Sequence, residues 1–297
     1  MTKISGFTFI KNGLSLGYPI AESVQSIEPL CDQIVINVGF DNPELTGDDG
    51  TWEYLNDTFQ GSKYLFLKSF WDPELTSRGL ILSDQTNIAL QKCTGDFCQY
   101  IQGDEVIHQD DLAHIEDSLK VMVDDQNIHG LLFNYLHFYG NVDIIKHTRS
   151  SYRREVRLIR NGLGIKSWLD AQGFRHSNNT KINCIQGKPR IFHYGWARQQ
   201  QVMTQKVKSF DKLYHGNQYD SEDFSYQKIW GLKKFHDSHP QVMQAWIEKN
   251  QNQLDVLNLP LRFEWRNFGL AFSDFVEKYT DYRIGEYKNY KLVKAKI

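Results

Sequence analysis

Residues 33–39, Gln33-Ile-Val-Ile-Asn-Val-Gly39, form a near-continuous apolar run of strand length. A strand that is apolar on both faces belongs inside a parallel sheet covered by helices on either side. The neighbouring segments meet that demand. Residues 4–10 read as a first strand that ends at Lys11-Asn12-Gly13. Residues 19–30 read as a helix, with Pro19 near its start, Glu22 in its first turn, and Ile20, Val24 and Ile27 on one face. Helices over 52–59, 83–93 and 110–124 and strands over 64–68 and 97–102 continue the alternation. Repeated strand–helix–strand units predict an α/β fold on a parallel sheet with right-handed crossovers.

From Gly130 the pattern becomes aromatic and β-like, with strands expected over 131–139, 152–160 and 190–196. Beyond about residue 198 polar, helix-favouring segments dominate, including 240–251 and 274–279. A boundary near residue 200 is expected, with one domain over 1–200 and a mostly helical extension over 201–297. The 297 residues suffice for one large or two modest domains. No internal repeat or low-complexity linker interrupts them.

The stretch Tyr100-Ile-Gln-Gly-Asp-Glu-Val-Ile-His108 carries the most chemistry. It reads as a buried strand ending at Asp104 and Glu105, and ligands of α/β sheets bind beyond the carboxyl ends of the strands. Two carboxylates there suit Mg²⁺ or Mn²⁺ carrying a diphosphate. A strand end followed by a helix with acidic first-turn residues, Asp110 and Asp111, is the bland alternative.

A formal net charge of -2 gives no basic field to attract nucleic acid. Aromatics are abundant, with 18 Phe, 15 Tyr and 7 Trp, which suits either a large core or stacking surfaces. Trp71, Trp168 and Trp196 are candidates to stack on sugar rings, with core packing as the alternative. Cys31, Cys93, Cys98 and Cys184 form no zinc pattern, and Cys31 and Cys184 sit in apolar runs as buried free thiols would. The start, MTKISGFTFIKNG, has no long apolar stretch and no run is long enough to span a bilayer. A cytoplasmic protein is expected, with peripheral membrane contact left open.

The segments Gly6-Phe-Thr-Phe-Ile-Lys-Asn12, Tyr18-Pro-Ile-Ala-Glu22-Ser23-Val-Gln-Ser26 and Ile34-Val-Ile-Asn-Val-Gly39 resemble the nucleotide-binding start of family 2 glycosyltransferases with the GT-A fold. Asp49-Gly50-Thr51, Gln85-Thr-Asn87-Ile-Ala89 and Cys93-Thr-Gly-Asp-Phe97 are similar to its later segments, and Asp104-Glu105 falls where its acidic motif sits. His193-Tyr-Gly-Trp196, Asp170-Ala-Gln-Gly-Phe-Arg175, Arg153-Arg-Glu-Val156 and the tail around Gly285-Glu-Tyr287 resemble a bacterial subgroup. The resemblance implies a Rossmann-like, parallel-rich mixed sheet flanked by helices, and a sugar moved from a nucleotide donor to a glycan, lipid-linked or other acceptor. One departure stands out: the family pattern is Asp-x-Asp, and the first position here is Gln102.

Expected donor contacts are Asn12, Glu22, Asp41, Asp49, Arg78, Asn87, Gln102 and Asp104, and expected ligands of Mn²⁺ or Mg²⁺ are Asp104, Glu105 and His193. Asp170, in a turn able to aim a carboxylate into a cleft, leads as the base of an inverting transfer, with Glu155 and Asp143 behind it. The strand 152–160 carries Arg153, Arg154, Arg157 and Arg160, suited to anionic acceptors or to local ion pairs. Two other functions stay open: a degenerate protein that binds a sugar nucleotide or glycan without catalysis, kept alive by Gln102, and a nucleotidyltransferase.

Overall fold

The computed structural model describes residues 2–75, 77–215, 218–219, 221–250 and 252–295. Its first half alternates as the apolar runs require: β1 (Ile4–Ile10), α1 (Ile20–Ile27), β2 (Gln33–Phe40), α2 (Thr51–Thr58), β3 (Tyr64–Phe70), α3 (Leu80–Leu90), β4 (Phe97–Tyr100), β5 (Glu105–Ile107) and α4 (Leu112–Asp124). Strands follow: β6 (Gly130–Tyr139), β7 (Asn141–Lys146), β8 (Arg154–Arg160), β9 (Ile165–Trp168), β10 (Gly173–His176) and β11 (Asn183–Trp196). The last third holds α5 (Gln200–His215), β12 (Leu232–Lys234), α6 (Gln244–Asn250), α7 (Arg266–Thr280) and β13 (Lys291–Leu292).

β3, β2, β1 and β4 lie side by side and parallel. β8 joins β4 antiparallel, β6 joins β8, and β7 and β12 extend the sheet beyond. The result is the expected mixed sheet flanked by helices. β2 shows why it was so legible: Ile34, Ile36 and Val38 pack with Ile20, Val24 and Ile27 of α1 and Leu55 of α2. Val35 faces the other way, against Ala89 and Leu90 of α3.

β11 positions the site. It runs parallel to β6 and antiparallel to β5, which sets His193 opposite both His137 and Glu105. The segment after residue 200 is largely helical, yet β12 and β13 join the same sheet. Strands of three and two residues are too short to carry a readable alternation. α7 turns Leu270 inward but leaves Phe268, Phe272, Phe275 and Tyr279 exposed, an aromatic stripe quite unlike a solvated face.

Glu105 of β5 and Arg157 of β8 are both fully buried and form two parallel hydrogen bonds of 2.8 Å. Tyr135 of β6 donates a third to Glu105 Oε1 at 2.8 Å. Breaking a buried pair strands a charge and costs about 3–5 kcal/mol. Arg157→Met should therefore destabilise by that order in urea unfolding, and Glu105→Gln added to it should restore much of the loss. Additive losses in the double variant would contradict a coupled pair.

Candidate active site

A cavity of ≈ 780 Å³ opens beyond the carboxyl ends of the parallel strands. Lys11 and Asn12 follow β1 into it, Asp41 follows β2, Trp71 follows β3, and Gln102 and Asp104 follow β4. Asp170 and Gln172 enter from the loop joining β9 to β10, His193 and Trp196 from β11, and Lys206 and Phe210 from α5.

Asp104 forms the buried floor. Lys206 Nζ lies 3.0 Å from its Oδ2 and 2.8 Å from the Gly195 carbonyl oxygen. Arg198 Nη2 is 3.7 Å from the same carboxylate oxygen, and His193 Nε2 is 3.7 Å from Oδ1. Burial opposes ionisation of Asp104, but its cationic neighbours, Lys206 foremost, overcome it and hold the carboxyl well below the usual range. Burial lowers Lys206 to about 8 despite Asp104. Gly195 has to be glycine here, because a Cβ would stand 2.9 Å from Asp104 Oδ2 and 2.7 Å from the His193 ring.

The histidine pair has a defined protonation. His137 Nε2 faces the Tyr152 carbonyl at 2.6 Å, and a carbonyl only accepts, so Nε2 carries hydrogen. Burial keeps both rings below their ordinary pKa, hence neutral. His137 Nδ1 therefore accepts from His193 Nδ1 at 3.1 Å, leaving His193 Nε2 as a bare acceptor toward the cavity.

Asp170 sits in a strained loop. Leu169 and Ala171, on either side of it, have φ of 50° and 59°, values that favour glycine. Three contacts hold the loop: Gln102 Nε2 donates to the Ala171 carbonyl at 3.3 Å, Arg157 Nη1 to the Gln172 carbonyl at 2.9 Å, and Gln172 Nε2 to Glu155 Oε1 at 2.9 Å. Burial raises the Asp170 pKa above the ordinary carboxylate value.

Asn12, Asp41, Gln102, Asp104, Asp170 and His193 thus share one cavity, while other expected residues lie elsewhere. Glu105 is not a metal ligand, since both its oxygens are spent on Arg157 and Tyr135. Glu155 is fully buried behind Gln172 and does not line the cavity. Asp143 is exposed on β7. Asp49 caps its own turn, accepting from the Ser15 and Thr51 amides. Asn87 pairs with the backbone of Ser167, and neither Glu22 nor Arg78 lines the cavity. The arginine strand is also committed: Arg153 to Glu277, Asp281 and Glu286, Arg157 to Glu105, and Arg160 to backbone carbonyls. Trp71 and Trp196 line the cavity and Trp168 does not.

Sequence reading missed Lys206, Arg198 and Tyr18, whose ring lies 4.0 Å under the Arg198 guanidinium. A signal for Lys206 exists: it interrupts the apolar stripe Met203, Val207, Phe210 at helical spacing.

The residues fit a resident divalent ion poorly: Lys206 already pairs with Asp104, Arg198 stands 3.7 Å from the same oxygen, and an ion placed there would meet both cations with His193 as its one other protein donor nearby. Among the described residues no group of three or more His, Cys, Asp or Glu is placed to hold a metal. Nor is any described helix long and apolar enough to cross a membrane.

No family model matches the chain, and no curated protein matches it. Solved structures resemble it in part. TarS 1-349 of S. aureus is 13% identical, with 71% of this chain and 65% of that one covered at a TM-score of 0.36. The same protein in complex with UDP-GlcNAc is 15% identical over 55% and 46% of the two chains, TM-score 0.33. Glucosyl-3-phosphoglycerate synthase from M. tuberculosis, in complex with Mn²⁺, UDP and phosphoglyceric acid, is 15% identical over 46% and 43%, TM-score 0.29. The chain spans less than two thirds of the length of each.

Glu155 offers a check on the buried wall behind the site. Burial pushes its pKa from 4.5 up to about 8. The folded state then holds a proton that the unfolded chain has lost, so this group's stabilisation is full below pH 4.5 and lost as pH rises through about 8. Glu155→Gln should flatten the fall of the melting temperature across that window. An unchanged slope would place the titration elsewhere.

Proposed function

We propose that this chain transfers a sugar from a nucleoside-diphosphate donor to an acceptor hydroxyl with inversion, using Asp170 as base. The observation that carries this reading is that Asp170 and the cationic floor around Asp104 line the same cavity. Transfer needs a base at the acceptor, a stabilised leaving diphosphate, and in-line presentation of the anomeric carbon between them. Asp170 takes the hydroxyl proton as the new bond to the anomeric carbon forms. The bond from that carbon to the diphosphate oxygen breaks, and its electron pair leaves with the diphosphate toward Lys206. Asp41 and Asn12, at the ends of β2 and β1, line the part of the cavity assigned here to the nucleoside, with the buried Trp71 behind them.

The raised pKa of Asp170 suits a base, because a more basic carboxylate accepts a proton more readily. The strain on both sides of it supports a functional role over that of an idle turn cap. Neighbouring solved structures hold UDP and UDP-GlcNAc, which accords with a nucleotide-sugar donor here. The acceptor is a glycan, a lipid-linked sugar or another hydroxyl compound.

Asp170→Asn should lower transfer by about 10²–10⁴-fold, the usual worth of a general base, while leaving nucleotide binding by calorimetry within a factor of about two. Wild-type turnover should rise with pH through the Asp170 titration, since only the ionised form accepts a proton. Retained turnover in the variant would remove Asp170 as the base. Intact nucleotide binding by a wild-type chain that turns over no tested acceptor would favour a degenerate binding protein.

A further inference from the structure

We propose that Lys206 takes the place of a divalent cation at Asp104, so that this site holds the donor diphosphate without metal. The inference rests on the nucleotide-diphosphate reading of the cavity and adds what neutralises the leaving group. Four observations carry it. Lys206 is held at the carboxylate by two short contacts, to Asp104 and to the Gly195 carbonyl, and its ammonium lines the cavity. Arg198, 1% exposed, stands behind it, and among the described residues its Nε and Nη2 have no hydrogen-bond partner. Its third nitrogen, Nη1, donates to the Leu16 carbonyl at 2.8 Å. Finally, Gln102, where a second carboxylate is expected, brings no charge.

The charges decide which ligand this cluster wants. Lys206 and Arg198 contribute two positive charges and Asp104 one negative, so the cluster they form is net positive before any ligand arrives. Buried excess charge with unsatisfied donors is unfavourable unless an anion answers it. A divalent cation on Asp104 would add to the excess, whereas a diphosphate would cancel it. Lysine can serve as a point charge for phosphate oxygens, and the Gly195 carbonyl aims it. The rival is a divalent ion in the gap between Asp104 Oδ1 and His193 Nε2.

The test is calorimetric binding of inorganic pyrophosphate and of UDP to the full chain, in EDTA and in Mn²⁺. Pyrophosphate should bind in EDTA, with Mn²⁺ changing its affinity by less than about threefold. Lys206→Met should lose about 10–100-fold of the EDTA affinity, the weight of a charge-assisted contact. Asp104→Asn gives the sharper answer because the two readings predict opposite signs. It should hold or strengthen pyrophosphate binding in EDTA by removing the carboxylate that Lys206 and Arg198 face, whereas a metal ligand would lose Mn²⁺-dependent affinity. Binding that needs Mn²⁺ and falls in Asp104→Asn overturns the inference. Metal-free pyrophosphate binding with no binding of UDP, GDP, CDP or dTDP would uphold the anion site while sinking the nucleotide-sugar reading.

Discussion

The buried ion pair of Glu105 and Arg157 holds together the parts from which the cavity is made. Glu105 stands one residue after Asp104, so fixing its carboxylate fixes the direction of the floor. Arg157 comes from the antiparallel strand next to β4, and Tyr135 from the strand beyond. The guanidinium spends its remaining hydrogen bonds on the Val156 and Gln172 carbonyls, and the second of these anchors the Asp170 loop. One buried pair thus couples β5, β6, β8 and the loop bearing the candidate base. Such a pair is poor evidence of net stability, since two ions must be desolvated to make it. What it supplies is orientation, because the observed placement of Glu105 satisfies both its oxygens at once.

The floor has the opposite character. Around Asp104 the cations outnumber the carboxylate, and two donor nitrogens of Arg198 have no hydrogen-bond partner among the described residues. The low dielectric that makes this costly also makes it effective toward an arriving anion. The completing residue, Lys206, comes from α5, which follows directly on the β11 end that carries His193 and Gly195. The segment after residue 200 therefore reaches the cavity as well as the sheet edges, where β12 and β13 add their short strands.

Much of the architecture was legible in the sequence because buried parallel strands announce themselves. The apolar run at 33–39 fixed both faces of β2 at once, and the periodicity of residues 20, 24 and 27 gave the helix above it. Four of the expected site residues, Asn12, Asp41, Gln102 and Asp104, share the cavity for a related reason, as they follow the ends of parallel strands, while Asp170 enters from the β9–β10 loop and His193 from within β11. The failures have a common physical origin. Glu105 looked like a ligand beside Asp104, yet Asp104 sits in a turn while Glu105 opens β5, and the Glu105 carboxylate met Arg157 from a strand distant in sequence. The arginines at 152–160 left anionic ligands and ion pairs both open, and the sequence around them did not show that Arg153 pairs with Glu277, Asp281 and Glu286 from the far end of the chain. Local pattern carries no record of such long-range pairings. The β9–β10 hairpin was unread because four-residue strands are too short to show alternation.

Gln102 shows how the two halves of the site constrain each other. Its amide nitrogen donates to Tyr100 and to the Ala171 carbonyl, and its backbone N–H to Glu105 Oε2 at 3.2 Å. A carboxylate at this position would face a carbonyl oxygen it cannot bond, with the negative charge of Glu105 close by. It would loosen the Asp170 loop and load a second charge onto a brace with one guanidinium to neutralise it. Glutamine avoids both costs by acting as a neutral donor to the loop. A floor that gives up one carboxylate also gives up much of its hold on a divalent ion, and Lys206 then supplies positive charge where an ion would have supplied it. Read in this way, the departure at residue 102 and the lysine on α5 are two sides of one electrostatic solution, joined through Asp104.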